Sequence, residues 1–555
     1  MRRKIAVAAV AAVLAASLLG GCSGGSGNGG TLTKSEATEE LTALTKTIKT
    51  KTVKDPVLDI YSDDSSQADA LADVSVFPLT VRGDGEINVE IAAATEMSAD
   101  APDDWLNVVA RSFNKERRRV NGKTASVSVR KITSGEAVTY VEAGKYMPEV
   151  FIPSNFAWGK MLKASGIGIE KIEDRIAGNT AGLLIKKDVY DKFVGKYGEA
   201  TVANVLEASI NGDLTFAYTN PYTSSTGLNI LTAMLKAFDE DDPLSEKAAE
   251  KLLEYQKQSP PVAYTTAVLR QSAAKGVINA MVMEEQAYAN TPELKGFVYV
   301  PAGIRHDHPV YVFDWTDEDE RAVAEEFVEY CKSDEMQKIA SEKGFNKRDE
   351  YEAQDPGMSG TDYLNAQKVW KKNKNGGRPV MAVFVADVSG SMDGTPINSL
   401  KKSLVAAASY VGDEHYVGLV SYASDVTINL PIAQFDATQR AYFSGEVKNL
   451  SASGGTATYD AVLVAMKMIE EASEETEDAK PMIFLLTDGD QNEGYPLSRI
   501  KGIVGGLGIP VYTIAYNYSN VSELAELSAI NESASLKADS DDVANQLRNL
   551  FNVQM

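Results

Sequence analysis

Cysteine and histidine are scarce in this chain, with two and three copies among 555 residues. Cys22 closes the N-terminal apolar stretch, so if it is modified there, Cys331 has no intramolecular disulfide partner. Stability must then come from buried apolar surface. Cys331 itself sits in a helical pattern and is expected to be a buried small residue rather than a reactive thiol. Three histidines, His306, His308 and His415, are too few for a histidine-built hydrolytic metal centre. His306 and His308 could supply half a zinc site, but no third and fourth ligands stand out, and a loop or packing role is expected. Basic residues are also in deficit: 55 Lys and Arg face 78 Asp and Glu, a formal charge of −23. Such a surface repels nucleic acid and anionic headgroups and favours cations. The cluster KERRR at 115–119 is one short solvated helix face, not the basic stripe a nucleic-acid binder needs. No fixed-period repeat is present. The acidic run at 470–478 lacks the glycine and ligand spacing of an EF-hand loop. With no catalytic equipment in view, a non-enzymatic role is expected.

The longest apolar run is at the N-terminus, MRRKIAVAAVAAVLAASLLGGC. Three basic residues lead a segment too short and too alanine-rich to span a bilayer comfortably, as in an export signal. Its end, LGGC, resembles a bacterial lipobox, which implies cleavage before Cys22, lipid on its thiol and anchoring at the extracytoplasmic face of a bacterial membrane. SGGSGNGG at 23–30 then reads as a flexible tether.

At this length the chain should divide into two or three domains. Residues 1–21 are assigned to the signal peptide, and 22–85 to the lipidated cysteine, the tether and a helical, loosely ordered connector. From 86 to 350 short strands alternate with helices. Residues 351–377 lose strand character, collect charge, glycine and proline, and read as a linker. A second alternating series fills 378–555. Continuous apolar strands between amphipathic helices predict a mostly parallel sheet covered on both faces. Both domains are therefore expected to be α/β.

In such sheets ligands bind at the carboxyl ends of the strands. The segment VFVADVSGSMDG at 383–394 ends a buried strand on Asp387 and continues into Ser389 and Ser391. Alternate residues of a loop can converge, and three oxygens there suit a hard cation such as Mg²⁺. Two other strand-end loops offer oxygens: GGTATYD, with Thr456 and Thr458 behind it, and FLLTDGD, with Asp488 and, less favoured, Asp490.

Together these segments resemble the von Willebrand factor A (VWA) domain and its metal-ion-dependent adhesion site, over about residues 378–555. The resemblance implies a Rossmann-like fold in which Asp387, Ser389, Ser391, Thr456 and Asp488 hold Mg²⁺ (or Mn²⁺ or Ca²⁺). Hydroxyls ligate directly or through water, the aspartates balance charge, and an open vertex takes an acidic side chain of a protein partner.

In the first series, FAYTNPYTSSTGLNIL ends a strand on Ser and Thr residues before a helix, a capping pattern that also leaves N–H groups free for a ligand. With TEMS, IPSN and MEEQ at other strand ends, residues 85–350 resemble a type II periplasmic, or extracellular solute-binding, protein, whose two lobes close on a ligand. Matching positions place Thr95, Glu96, Ser154, Asn155, Ser224, Ser225, Thr226 and Gly227 around the cleft, with Gln286 a further candidate. Glu96 would repel an inorganic anion, and no arginine is evident in these loops. A small polar or cationic solute, a peptide, or a scaffold role without ligand follows.

The expected protein is thus a membrane-anchored binding lipoprotein, with the solute-binding-like module near the membrane and the metal-dependent protein-binding module farther along the chain. The alternative is the substrate receptor of an ABC-type transporter with a regulatory VWA domain.

Overall fold

A computed structural model describes residues 32–59, 71, 73–263, 266, 269, 270, 273, 278–476, 478–489, 491–516, 522–531, 535–538 and 550. The export signal and Cys22 lie outside the described residues. Three open sheets make up the molecule.

The first two sheets form the lobes of the domain that resembles solute-binding proteins. One is ordered Leu79–Val81, Lys123–Lys131, Ile87–Ala93, Val150–Ile152, Val310–Phe313, Ile169–Glu173. The other runs Val262–Ala263, Phe216–Thr219, Ala280–Glu284, Thr180–Lys186, Phe297–Arg305. The chain crosses between lobes after Glu173 and again after Arg305. Each lobe has its own apolar core. The strand carboxyl ends of both sheets consequently face one cleft, the usual position for a ligand in open α/β sheets.

The third sheet is ordered Thr50–Thr52, Val426–Gln434, Tyr416–Tyr422, Val380–Asp387, Lys480–Thr487, Val511–Tyr516, Ser535–Ala538. All its pairings are parallel except that between Tyr416–Tyr422 and Val426–Gln434. Val380–Asp387 is buried along its whole length, which explains its uninterrupted apolar sequence: helices cover both sides of a parallel sheet.

Two stretches read as connectors are structural parts of the domains. Residues 34–53 belong to the C-terminal domain. Helix Lys34–Thr45 starts on a capping box, Thr33 accepting from the Glu36 N–H while the Glu36 carboxylate accepts from that of Thr33 at 2.8 Å. It buries Ala37, Leu41 and Leu44, of which the two leucines and Ile48 join the core under helices Thr458–Ser473 and Leu497–Leu507. Gly506 permits the approach, since a Cβ there would stand 2.7 Å from that of Ala37. Strand Thr50–Thr52 then pairs parallel with Val426–Ile428 as the sheet edge. All three of its side chains are exposed, so no alternation betrays it in the sequence. The chain thus enters the C-terminal domain first, leaves to build the two-lobed domain, and returns. The expectation that the segment before residue 86 is only a connector is corrected by this pairing.

The proposed linker also contains a packed helix, Gly360–Asn373, with Tyr363, Ala366, Gln367 and Trp370 on its buried face. Trp370 is fully buried, donates to the Tyr218 hydroxyl at 2.7 Å and meets the Tyr222 ring at 6.0 Å. Its lysines misled the reading: Lys371, Lys372 and Lys374 advertise solvent, while the apolar residues beneath them keep the 3-4 spacing of a buried stripe. Trp370→Ala is expected to destabilise the two-lobed domain by about 3–5 kcal/mol, measurable by urea unfolding; a change under about 0.5 kcal/mol is what a surface linker would give.

Candidate functional site

The loop after the central strand of the C-terminal sheet is built around Asp387. Its side chain is buried, yet each oxygen is met: the Ser389 N–H donates to Oδ1 at 2.8 Å, and the Thr487 hydroxyl to Oδ2 at 2.7 Å. The Tyr422 hydroxyl donates to the same Oδ2 at 3.3 Å. Tyr422 and Thr487 come from the two flanking strands, and Tyr422 is in register with Asp387. Sequence reading passed over both, although Thr487 directly precedes Asp488.

Ser389 and Ser391 hold their hydroxyl oxygens 3.0 Å apart, and Ser391 donates to Asp488 Oδ1 at 2.8 Å. The Thr456 loop is tied to the same edge by its backbone. The Ser453 N–H donates to the Val388 carbonyl at 2.8 Å, and the Gly390 N–H to the Gly454 carbonyl at 3.0 Å. Gly454 takes φ +86°, a left-handed conformation that glycine adopts without strain. Thr456 is buried; its N–H donates to Asn492 Oδ1 at 2.9 Å, and its carbonyl accepts from the Asn492 N–H at 3.0 Å. Its hydroxyl has no hydrogen-bond partner among the described residues. Asp490, weighed beside Asp488, lies outside them. The structure therefore brings the loops of Asp387, Thr456 and Asp488 to one sheet edge.

Do these groups fit a divalent cation? Neighbouring ligand oxygens of an octahedron with metal–oxygen distances of about 2.0–2.1 Å stand about 2.9 Å apart. The Ser389–Ser391 and Ser391–Asp488 spacings of 3.0 and 2.8 Å have that length. Burial pushes both carboxyls above the usual range, and the charge of Asp488 adds to the effect on Asp387. A cation would offset that cost. The donor set, two carboxylates among hydroxyls, suits Mg²⁺ better than a transition metal. Among the described residues there is no metal-competent group of three or more His, Cys, Asp or Glu.

The interlobe cleft holds a cavity of about 220 Å³. Of the expected residues, Thr95, Glu96, Ser154, Ser224, Ser225 and Gln286 line it. Asn155, Thr226 and Gly227 do not. Asn155 Oδ1 instead accepts from the Ala157 N–H at 3.1 Å, Thr226 donates to Glu284, and Gly227 packs so tightly that a Cβ would stand 2.3 Å from the Thr219 carbonyl oxygen. Sequence reading missed Asp103, Lys131, Arg270 and Glu284, all on the cavity wall. The motif loops hold no arginine, but Arg270 reaches the cleft from outside them, which is why they gave no signal of it.

His306 and His308 are both fully buried behind this cleft. His308 Nε2 lies 3.1 Å from Glu96 Oε1, and Nδ1 lies 2.9 Å from the Ala177 carbonyl oxygen. Both ring nitrogens thus face acceptors, and the histidine positions Glu96. Burial above all lowers His306 to about 3, so it stays neutral. Cys331 is buried, and burial pushes its thiol up. Among the described residues no helix is long and apolar enough to cross a membrane.

Comparison with known proteins divides the chain in the same way. Residues 94–346 match the family described as bacterial extracellular solute-binding protein, and residues 382–552 match the von Willebrand factor type A domain. Inter-alpha-trypsin inhibitor heavy chain H3 of Mus musculus is 28% identical over 184 residues, 31% of this chain and 21% of that protein. The match therefore spans about a fifth of that relative's length. Among solved structures, a von Willebrand factor type A protein from Catenulispora acidiphila is 22% identical over 32% of this chain and 42% of its own, at a TM-score of 0.30. Iron-bound HitA from Pseudomonas aeruginosa is 13% identical over 52% of this chain and 99% of its own, at 0.38.

Proposed function

We propose that this chain, an extracellular solute-binding-type domain set within and followed by a von Willebrand factor A domain, is a lipid-anchored extracytoplasmic binding protein and not an enzyme. The observation that carries the reading is the oxygen cluster of Ser389, Ser391 and Asp488, spaced 2.8–3.0 Å apart beside the buried Asp387. Ser389, Ser391 and Thr456 would hold a divalent cation, Mg²⁺ or its substitutes Mn²⁺ and Ca²⁺, with Asp387 and Asp488 balancing its charge. Bound there, the ion supplies a Lewis-acidic vertex for an oxygen ligand. Hydroxyls contribute no charge, so two carboxylates leave the centre able to attract an acidic side chain of another protein.

The second domain would receive a small polar ligand between its lobes. Cys22, in the LGGC segment, would carry the lipid. Because residues 34–53 complete the C-terminal sheet, the tether would hand the metal-bearing domain, not the solute-binding one, to the membrane surface. The transporter-receptor alternative makes the interlobe cavity the working site and gives the von Willebrand factor A domain a regulatory part.

The test is affinity capture from a membrane extract with the full chain, once in Mg²⁺ and once in EDTA. Partners held through the cluster are expected in the first eluate and absent from the second. Identical eluates would refute partner capture through the ion.

A further inference from the structure

The polarity of the interlobe cavity narrows its ligand, an argument that rests on the solute-binding reading above. Glu284 ends strand Ala280–Glu284 and is 5% exposed. One of its oxygens accepts from Thr226; Oε2 is buried with no hydrogen-bond partner among the described residues. Gln286 is fully buried, and its Nε2 donates to Asp103 at 2.9 Å. Its Oε1 is likewise unpartnered. Glu96, which follows strand Ile87–Ala93 of the other lobe, lines the cavity with Glu284 and Gln286.

These are acceptors in want of donors. A buried polar atom left unpaired costs about 1–3 kcal/mol, so the cavity rewards a ligand bearing N–H groups. Sulfate brings only acceptors, and phosphate, though it keeps an O–H donor at neutral pH, brings like sulfate a negative charge that would stand against Glu96 and Glu284. A protonated amine brings three donors and one positive charge. Burial, then the charge of Glu96, pushes Glu284 up to about 7, a cost that an arriving cation offsets. Lys131 and Arg270 line the same cavity, as does Ser225 at the start of the 14-residue helix Ser225–Phe238. They suit an acidic group on the same ligand. The volume of about 220 Å³ is below the roughly 300–1,000 Å³ of sites for drug-sized molecules.

We infer that the cleft binds a small zwitterion of the amino-acid class, its ammonium on Glu284, Gln286 and Glu96 and its carboxylate toward Lys131, Arg270 and the start of that helix.

The experiment is calorimetric titration of the full chain with the common amino acids, ethylamine, sulfate, phosphate and Mn²⁺. At least one amino acid is expected to bind, and Glu284→Gln, which keeps size and the contact with Thr226, should weaken it by about 30-fold or more. Arg270→Gln should weaken the amino acid while leaving ethylamine unaffected, a pattern that misfolding would not produce. Binding of sulfate, phosphate or Mn²⁺ with amino acids silent overturns the inference but leaves a solute-binding cleft standing. Unchanged amino-acid affinity in Glu284→Gln overturns it too. Silence of every probe overturns the inference and the solute-binding reading together.

Discussion

The proposed Mg²⁺ site predicts that the ion raises the thermal stability of the C-terminal domain, and Asp387→Ala is expected to abolish that gain. A ligand that binds only the folded state stabilises by about 2.7 kcal/mol at a hundred times its Kd. In a domain of about 150–250 residues each kcal/mol moves Tm by roughly 2–4 °C, so saturation should raise the transition by about 5–11 °C. Asp387 is the point on which the site converges: the Ser389 N–H, the Thr487 hydroxyl and the Tyr422 hydroxyl all aim at its carboxylate. Without it the alternate serines lose both their counter-charge and the bond that sets their loop. Loss of a partner outside the coordination sphere usually costs a metal site about 10–100-fold; loss of this carboxylate should cost more than about 100-fold. Differential scanning calorimetry with Mg²⁺ and with EDTA reads the effect. Asp387→Asn, nearly isosteric, separates charge from packing: it should keep the apo transition near wild type and still lose most of the Mg²⁺ response. An undiminished response in both variants would remove Asp387 from the site.

What the sequence disclosed follows from how each element is stabilised. Val380–Asp387 is buried along its length, so its residues had to be apolar up to the aspartate, and the strand and the place where it ends were both readable. The serines and Asp488 followed because strand-end loops of one sheet edge are neighbours whatever their separation in the chain. Thr487 and Tyr422 were hidden because a polar residue inside an apolar strand shows its purpose only when its cross-strand neighbour is known. Glu284 had the same disguise within AMVME, where one carboxylate at a strand end gives no sign in the sequence that it is buried. Arg270 lay outside any motif. In the cleft, Thr226 and Gly227 were mistaken for ligand contacts because first-turn residues that face a cavity and those that face the protein share one sequence pattern; only packing tells them apart, as the Thr226 bond to Glu284 does here.

Leu41→Ala is the second large effect, and it tests the least legible feature of the chain, the return of its N-terminal segment to the C-terminal sheet. Leu41 is fully buried in the core shared with Leu463, Ile500 and Val504. Truncating a buried leucine to alanine typically costs about 2–5 kcal/mol, the spread reflecting how far the surroundings can close over the cavity. Here closure is hindered: the helix is held on both sides, by Thr38 donating to Glu470 at 2.5 Å and by Thr47 and Tyr495 at 2.7 Å. An effect of about 3 kcal/mol or more is therefore expected. The location of the loss is more telling than its size. In full-chain calorimetry the transition of the C-terminal domain is the one that the proposed Mg²⁺ site is expected to raise, and Leu41→Ala should lower that transition by about 6–12 °C while the other stays in place. Residues 34–53 lie more than 300 positions from the strand they join, so a connector or a part of the two-lobed domain would give the opposite pattern: no shift, or a shift in the transition that ignores Mg²⁺. Either outcome would break the assignment of this segment to the C-terminal domain, and with it the order in which the chain meets the two modules.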